Sequence, residues 1–166
     1  FWTAMKKLRQ SMGALLSVQD LEVSFRTPTG ILRAVNRISF EIQPGECLGI
    51  VGESGCGKSV TALSILQLIR PSALNSISGG VSWAGTELLT ASPKTLQRIR
   101  GAEIGMIFQE PMTALNPVFS IENQISETIR THFPDRSRSQ LENETRYLLS
   151  MVGLDDAERV LAAYPH

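Results

Sequence analysis

The densest chemistry in the sequence lies in one run, Gly52-Glu53-Ser54-Gly55-Cys56-Gly57-Lys58-Ser59. Glycine at its first and sixth positions, followed at once by Lys-Ser, is the pattern of a loop that cradles phosphates. Each residue type has a physical task there. Glycine lets the backbone take positive φ and turn its N–H groups toward an anion, where a Cβ would stand in the way. Lys58 can reach the outer phosphates of a nucleotide, and the Ser59 hydroxyl can ligate Mg²⁺. Glu53, Ser54, Gly55, Cys56 and Val60 complete the stretch of backbone around the anion. An ordinary turn needs one or two glycines and has no use for a Lys-Ser pair after them. The phosphates of a nucleotide, with Mg²⁺, are therefore the expected ligand. Cys56, beside Lys58, reads equally as a reactive thiol and as a small residue that fits.

Such a loop carries meaning only between a buried strand and a helix. Residues 47–51, Cys-Leu-Gly-Ile-Val, are apolar on both faces, which predicts a strand in the middle of a parallel sheet. After the loop, Val60, Leu63, Ile65, Leu66 and Ile69 keep a helical rhythm until Pro71 stops it. Upstream, apolar residues at 16, 18, 21, 23 and 25 nearly alternate with one slip of register, which predicts a bulged strand. Thr27-Pro28-Thr29-Gly30 is turn chemistry, and residues 31–35 can return as its antiparallel partner. Ile38, Phe40 and Ile42 alternate again before a turn at 43–46. Residues 72–80 read as a loop, Val81-Ser82-Trp83 as a short strand and Ala84-Gly85 as its turn. Ser92-Pro93 reads as an N-cap with proline at the first position of a short helix to about Arg100. A second buried strand is expected over 104–109, ending in Gln109, and helices over 121–131, 139–152 and 156–163. The alternation of these patterns predicts an α/β fold with an antiparallel unit at its start.

A chain of 166 residues with 42% hydrophobic residues can bury one core. Sixteen basic against sixteen acidic residues give no pull toward nucleic acid. The two cysteines, Cys47 and Cys56, have neither CxxC nor Cys/His spacing, which favours a reducing compartment over a disulfide framework or a zinc site. No apolar run approaches the roughly 18 to 20 residues of a membrane span. A role at a membrane would need another chain to do the spanning. Phe1, Met5, Leu8, Met12 and Leu15 recur at helical steps around Lys6, Lys7 and Arg9. They make either a short basic amphipathic helix or, the favoured reading, an untidy terminal segment.

The stretch Met106-Ile107-Phe108-Gln109-Glu110-Pro111-Met112-Thr113-Ala114-Leu115-Asn116-Pro117 sharpens the picture. Together with residues 49–63, Thr27-Pro28-Thr29-Gly30 and Arg33-Ala34-Val35, it resembles the ATP-binding subunit of an ABC transporter, of the dipeptide, oligopeptide and nickel importer group. The resemblance runs from about Leu16 to the last residue. It implies an incomplete P-loop NTPase fold of the ABC type, divided into an N-terminal extension (1–15), not native or disordered, a nucleotide-binding α/β core (16–110), and a truncated Q-loop segment with the beginning of a helical subdomain (111–166). It also implies that Gln109 opens the Q-loop, sensing Mg²⁺ and the γ-phosphate, with Ser59 as the other Mg²⁺ contact. A glutamine at the carboxyl end of a parallel strand agrees with where ligands of open α/β sheets bind. Phe25 matches the aromatic that stacks on adenine, while its place in the alternation reads equally as a core phenylalanine. Val60 stands where many members carry Thr or Ser against the α-phosphate.

The implied partners are integral membrane permease subunits met through the Q-loop region, a second ATP-binding subunit in a head-to-tail dimer and, indirectly, a solute-binding protein, with no nucleic acid. The implied place is the cytoplasmic face of the cell membrane. The family's signature motif, the acidic Walker B strand, the general-base carboxylate and the switch histidine are all expected beyond His166. The chain alone is accordingly expected to bind ATP-Mg weakly, to lack turnover, and to leave a sheet edge unpaired and apolar surface exposed. Other classes to weigh are a soluble, non-transport ABC-type ATPase and a non-catalytic nucleotide-binding module.

Overall fold

The computed structural model describes residues 13–110, 114–154 and 156–166. The basic amphipathic pattern at the start of the chain lies almost wholly outside them. Two compact units are formed, one of residues up to Leu96 and one from Gln97 to His166.

The first unit is built on an antiparallel sheet of four strands: β1 (Leu16–Thr27), β2 (Gly30–Ile42), β3 (Leu74–Trp83) and β4 (Thr86–Glu87), in the order β2-β1-β3-β4. β1 and β2 meet across Pro28-Thr29, where the Thr27 hydroxyl donates to the Gly30 carbonyl at 2.7 Å. The expected slip of register in β1 is present. Leu16 and Val18 are buried, the pairing shifts between Val18 and Leu21, and Leu21 and Val23 are buried after it. Asp20, at φ 45°, takes the bulge, and its N–H donates to the Ser39 hydroxyl at 2.8 Å. With Val81 and Leu88 these side chains form the core of the sheet's covered face.

Helix α1 (Lys58–Ile65) touches β2. It stops short of Pro71 because Gln67 turns left-handed, at φ 49°, and its side-chain amide donates to the Leu88 carbonyl. β2 is one strand and not two pieces, because Arg37 at φ 50° absorbs the irregularity inside it. The segment 74–80, expected as a loop, forms most of β3. Its polar residues pair with the free edge of β1, and Ser24 bonds Ser76 at 2.7 Å and Asn75 at 3.0 Å. Pairing to a neighbour outweighs weak intrinsic strand preference.

The two apolar runs expected as buried parallel strands do not form strands. Residues 47–51 have no sheet partner among the described residues, and Val51 is 97% exposed. Residues 104–109 make one isolated parallel bridge, Arg100 to Ile104, and Ile107 is 97% exposed. A central parallel strand is stable only when both its edges are paired and both its faces covered. The described residues supply neither.

Helix α2 (Pro93–Ile99) starts as its Ser-Pro signal predicts, with the Thr95 N–H on the Ser92 hydroxyl at 3.1 Å. The second unit packs α3 (Ile121–His132), α4 (Arg138–Met151) and α5 (Ala157–Ala162) around Ile129, Leu141, Leu149 and Leu161. Ser120 caps α3, a Ser137/Gln140 capping box opens α4, and Asp156 caps α5. These oxygens satisfy amides that have no acceptor within the helix. Arg146 joins α4 to α5 through Glu158 at 2.7 Å.

Gly79 sits against the β1 bulge at φ 100°, where a Cβ would come within 2.5 Å of the Gln19 carbonyl oxygen. Gly85, at φ 80° in the β3–β4 turn, faces open space. Gly79→Ala is expected to cost about 2–3 kcal/mol and Gly85→Ala about 1 kcal/mol, since only the first adds a backbone clash to the left-handed strain. Urea unfolding of the two variants beside the native chain measures the difference.

Candidate functional site

The glycine run emerges from the exposed segment 47–51 and turns twice before α1 begins at Lys58. Gly55, at φ 81°, and Gly57, at φ 97°, hold conformations that L side chains rarely adopt. The Cys56 N–H donates to the Glu53 carbonyl at 3.3 Å and so closes the inner turn. At Gly57 the loop meets the sheet. A Cβ there would lie 2.3 Å from the Ala34 carbonyl oxygen and 3.6 Å from a Val35 methyl. Glycine is thus required twice over, by dihedral and by space.

Gly57 is also the N-cap of α1 and brings no side chain to it. Its carbonyl accepts from the Thr61 N–H at 2.8 Å and the Thr61 hydroxyl at 3.0 Å. The amides of the first helical turn have no acceptor within the helix and lie at the positive end of its dipole. The arrangement can receive an anion.

Lys58 lies back across the loop. Its Nζ donates to the Gly52 and Glu53 carbonyls, each at 2.7 Å, and lies 3.5 Å from the Cys56 Sγ. An ammonium has three N–H donors. Two are held on backbone oxygens, which fixes the charge over the loop, and the third faces the thiol side. Ser59 is exposed on the first turn, and Val60 is half-buried. The Cys56 Sγ also occupies the space a side chain at Gly52 would need, 2.6 Å from the Cβ position.

Phe25 stands in the same unit, half-buried on β1 between Leu32 of β2 and Leu74 of β3. It is neither sealed in the core nor free of the sheet. Gln109 belongs to the second unit, exposed in the bend that follows residues 104–108. Among the described residues no group of three or more His, Cys, Asp or Glu could hold a metal ion. A Mg²⁺ ion at Ser59 would take most of its ligands from phosphate and water, which is that ion's usual habit. Sequence reasoning found the loop but not its seat. The Ala34 carbonyl and the two carbonyls under Lys58 are backbone groups, which residue identities do not announce.

The sequence matches the ABC transporter family over residues 35–165. The chain belongs to the ABC transporter family. Relatives include a probable peptide ABC transporter ATP-binding protein of Sinorhizobium fredii, 43% identical over 92% of this chain and 45% of that protein. The dipeptide transport ATP-binding protein DppD of Bacillus subtilis is 43% identical over 93% of this chain and 46% of its own length. The chain therefore spans under half the length of these ABC relatives. Among solved structures it resembles a dimeric, post-hydrolysis ATP-binding cassette bound to ADP and Pi, with TM-score 0.73 and 19% identity over 90% of this chain and 61% of that one. A second dimeric structure of the same bacterial ABC transporter cassette gives TM-score 0.75 at 21% identity. That likeness places the fold as a partial ABC cassette of the α/β class. No helix among the described residues of this ABC protein is long and apolar enough to cross a membrane.

Gly57→Ala is expected to lift the loop off β2. Hydrogen exchange at the Thr61 N–H should rise at least tenfold, and stability should fall by about 2 kcal/mol or more. Gly55→Ala, with nothing within 4 Å of its Cβ position, should cost less than that.

Proposed function

We propose that the chain is the nucleotide-binding, N-terminal part of an ATP-binding subunit that energises import of di- or oligopeptides or similar small solutes. The observation that carries this reading is the bare N-terminus of α1 beneath an ammonium pinned by the Gly52 and Glu53 carbonyls. ATP-Mg²⁺ fits that loop in charge. The loop amides and Lys58 would hold the phosphates, and the Ser59 hydroxyl would supply one oxygen to the Mg²⁺. Gly52, Ser54, Gly55, Cys56 and Val60 line the approach with backbone. Phe25 offers a half-exposed ring on which a base can stack. Gln109 is assigned to sensing Mg²⁺ and the γ-phosphate.

The peptide and dipeptide transport names of the relatives support the choice of solute class. A permease supplied by other chains would do the spanning, and a second ATP-binding subunit would complete each site head to tail at the cytoplasmic face of the membrane. Hydrolysis needs a carboxylate beside an in-line water. Among the described residues no apolar strand ends in an acidic pair, so these residues alone are read as a weak ATP binder without turnover.

Titration of the chain with a fluorescent ATP analogue and Mg²⁺ tests the reading. Removing a charge-assisted contact costs about 1.5–3 kcal/mol, so Lys58→Ala should weaken binding by roughly 10- to 150-fold. Ser59→Ala should lose most of the Mg²⁺ dependence while keeping part of the affinity. Equal affinity for native chain and Lys58→Ala would remove the loop from the function.

A further inference from the structure

The Gly57 carbonyl accepts two hydrogen bonds, from the Thr61 N–H at 2.8 Å and from the Thr61 hydroxyl at 3.0 Å. The first is the ordinary opening bond of a helix. The second comes from a buried side chain and fills the other lone pair of the same oxygen. A threonine hydroxyl bonded to the carbonyl four residues before it is common in helices, and Thr128, Thr131 and Thr145 do the same in the second unit. What sets Thr61 apart is the peptide that receives the bond.

In a trans peptide the C=O and the N–H point opposite ways. The peptide that begins at the Gly57 carbonyl ends in the Lys58 N–H. Holding the carbonyl along α1 therefore turns that N–H outward past the start of the helix. An amide deeper in a helix would already be spent on the preceding turn, but Lys58 is the first residue of α1 and its amide has no acceptor within the helix. Ser64 supplies the contrast. It is fully buried on the same helix and its hydroxyl donates to the Val60 carbonyl at 2.6 Å. The N–H of that peptide belongs to Thr61 and ends on the Gly57 carbonyl. A donor placed on a carbonyl polarises its peptide and strengthens the bond made at the far end by about 10–30%. The gain from Ser64 is delivered inside the helix, and the gain from Thr61 is delivered to an amide that faces outward. The second bond also opposes rotation of a peptide that starts from Gly57 at φ 97°.

We propose that Thr61 is a positioning residue of the phosphate loop, its hydroxyl aiming and polarising the Lys58 amide for a phosphate oxygen. This rests on the nucleotide reading given above. Thr61 acts through that one peptide and brings no group of its own to the phosphate.

Amide ¹H–¹⁵N spectra of the whole chain without nucleotide, titration with Mg²⁺-ATP and urea unfolding test it in the native protein, Thr61→Val, Thr61→Ser and Ser64→Ala. Thr61→Val keeps the branched shape and loses the hydroxyl. Its Lys58 amide proton should move upfield, further than in Ser64→Ala, and ATP should bind about threefold or more weakly. Thr61→Ser keeps the hydroxyl and loses a buried methyl, so it should be less stable than the native chain yet bind ATP within about twofold of it. Ser64→Ala should likewise lose stability and stay within about twofold, one peptide further from the phosphate. A merely structural Thr61 gives another order, with affinity following stability across the three variants. An unmoved Lys58 amide in Thr61→Val, a smaller loss of affinity there, or a larger loss in Thr61→Ser or Ser64→Ala overturns the proposal. If Thr61→Val does not fold, Thr61→Ser decides, since affinity lost with the hydroxyl kept overturns the role and affinity kept at lower stability supports it. A native chain that binds no ATP overturns the functional reading itself, and the Lys58 shift, read without nucleotide, tells that result from the others.

Discussion

The contact on which the site depends is between two backbones, Gly57 and the Ala34 carbonyl of β2. A Cβ at Gly57 would come within 2.3 Å of that oxygen, so the loop can reach the sheet only through glycine. The geometry of the glycine loop follows from that approach. It sets where α1 begins, and so where the unpaired amides of its first turn point. It depends in turn on β2, whose register is dictated by the buried Leu21 and Val23 of β1 through the bulge at Asp20. Core packing thus reaches the phosphate loop through a chain of backbone contacts, and the helix end is placed by the sheet rather than by its own sequence.

Charge then acts on a backbone already in place. The Lys58 ammonium could extend into water at little cost, yet it lies on the Gly52 and Glu53 carbonyls, whose partial negative charge the tight loop concentrates. Those bonds leave the amides of the first helical turn to an anion, because Lys58 donates only to groups of the loop before it. A positive charge held in place beforehand loses less side-chain entropy when it meets its ligand.

What could be read from the sequence was what residues specify locally. The bulge in β1 follows from an alternation that slips by one, and Ser92-Pro93 carries its own hydrogen-bond partner. The loop was legible for the same reason, since glycine spacing and Lys-Ser are local requirements. The strands expected at 47–51 and 104–109 were not recovered, because an apolar run becomes a central strand only through neighbours on both edges. Residues 74–80 failed in the other sense. Their serines, asparagine and glycines read as loop, and the open edge of β1 made them strand. Gln124, whose side-chain amide bonds the Asn116 N–H and carbonyl and the Phe119 carbonyl, had no signal at all, because any residue at 116 or 119 would offer those backbone groups.

The two missing strands lie directly beside the two segments that matter, Val51 before Gly52 and Ile107 before the Gln109 bend, and both side chains are 97% exposed. The phosphate loop is therefore anchored on one side only. Its helix side is seated on Ala34, while its strand side is joined to residues that no sheet holds. Covering a valine or isoleucine is worth about 1.5–3 kcal/mol each. Fixing a backbone residue costs about 1–2 kcal/mol. Those terms are of similar size, so an anion binding to a loop held at one end must itself order what a paired strand would have ordered in advance. Val51 and Lys58 therefore bear on the loop from its two ends, one through the order of its backbone and the other through charge.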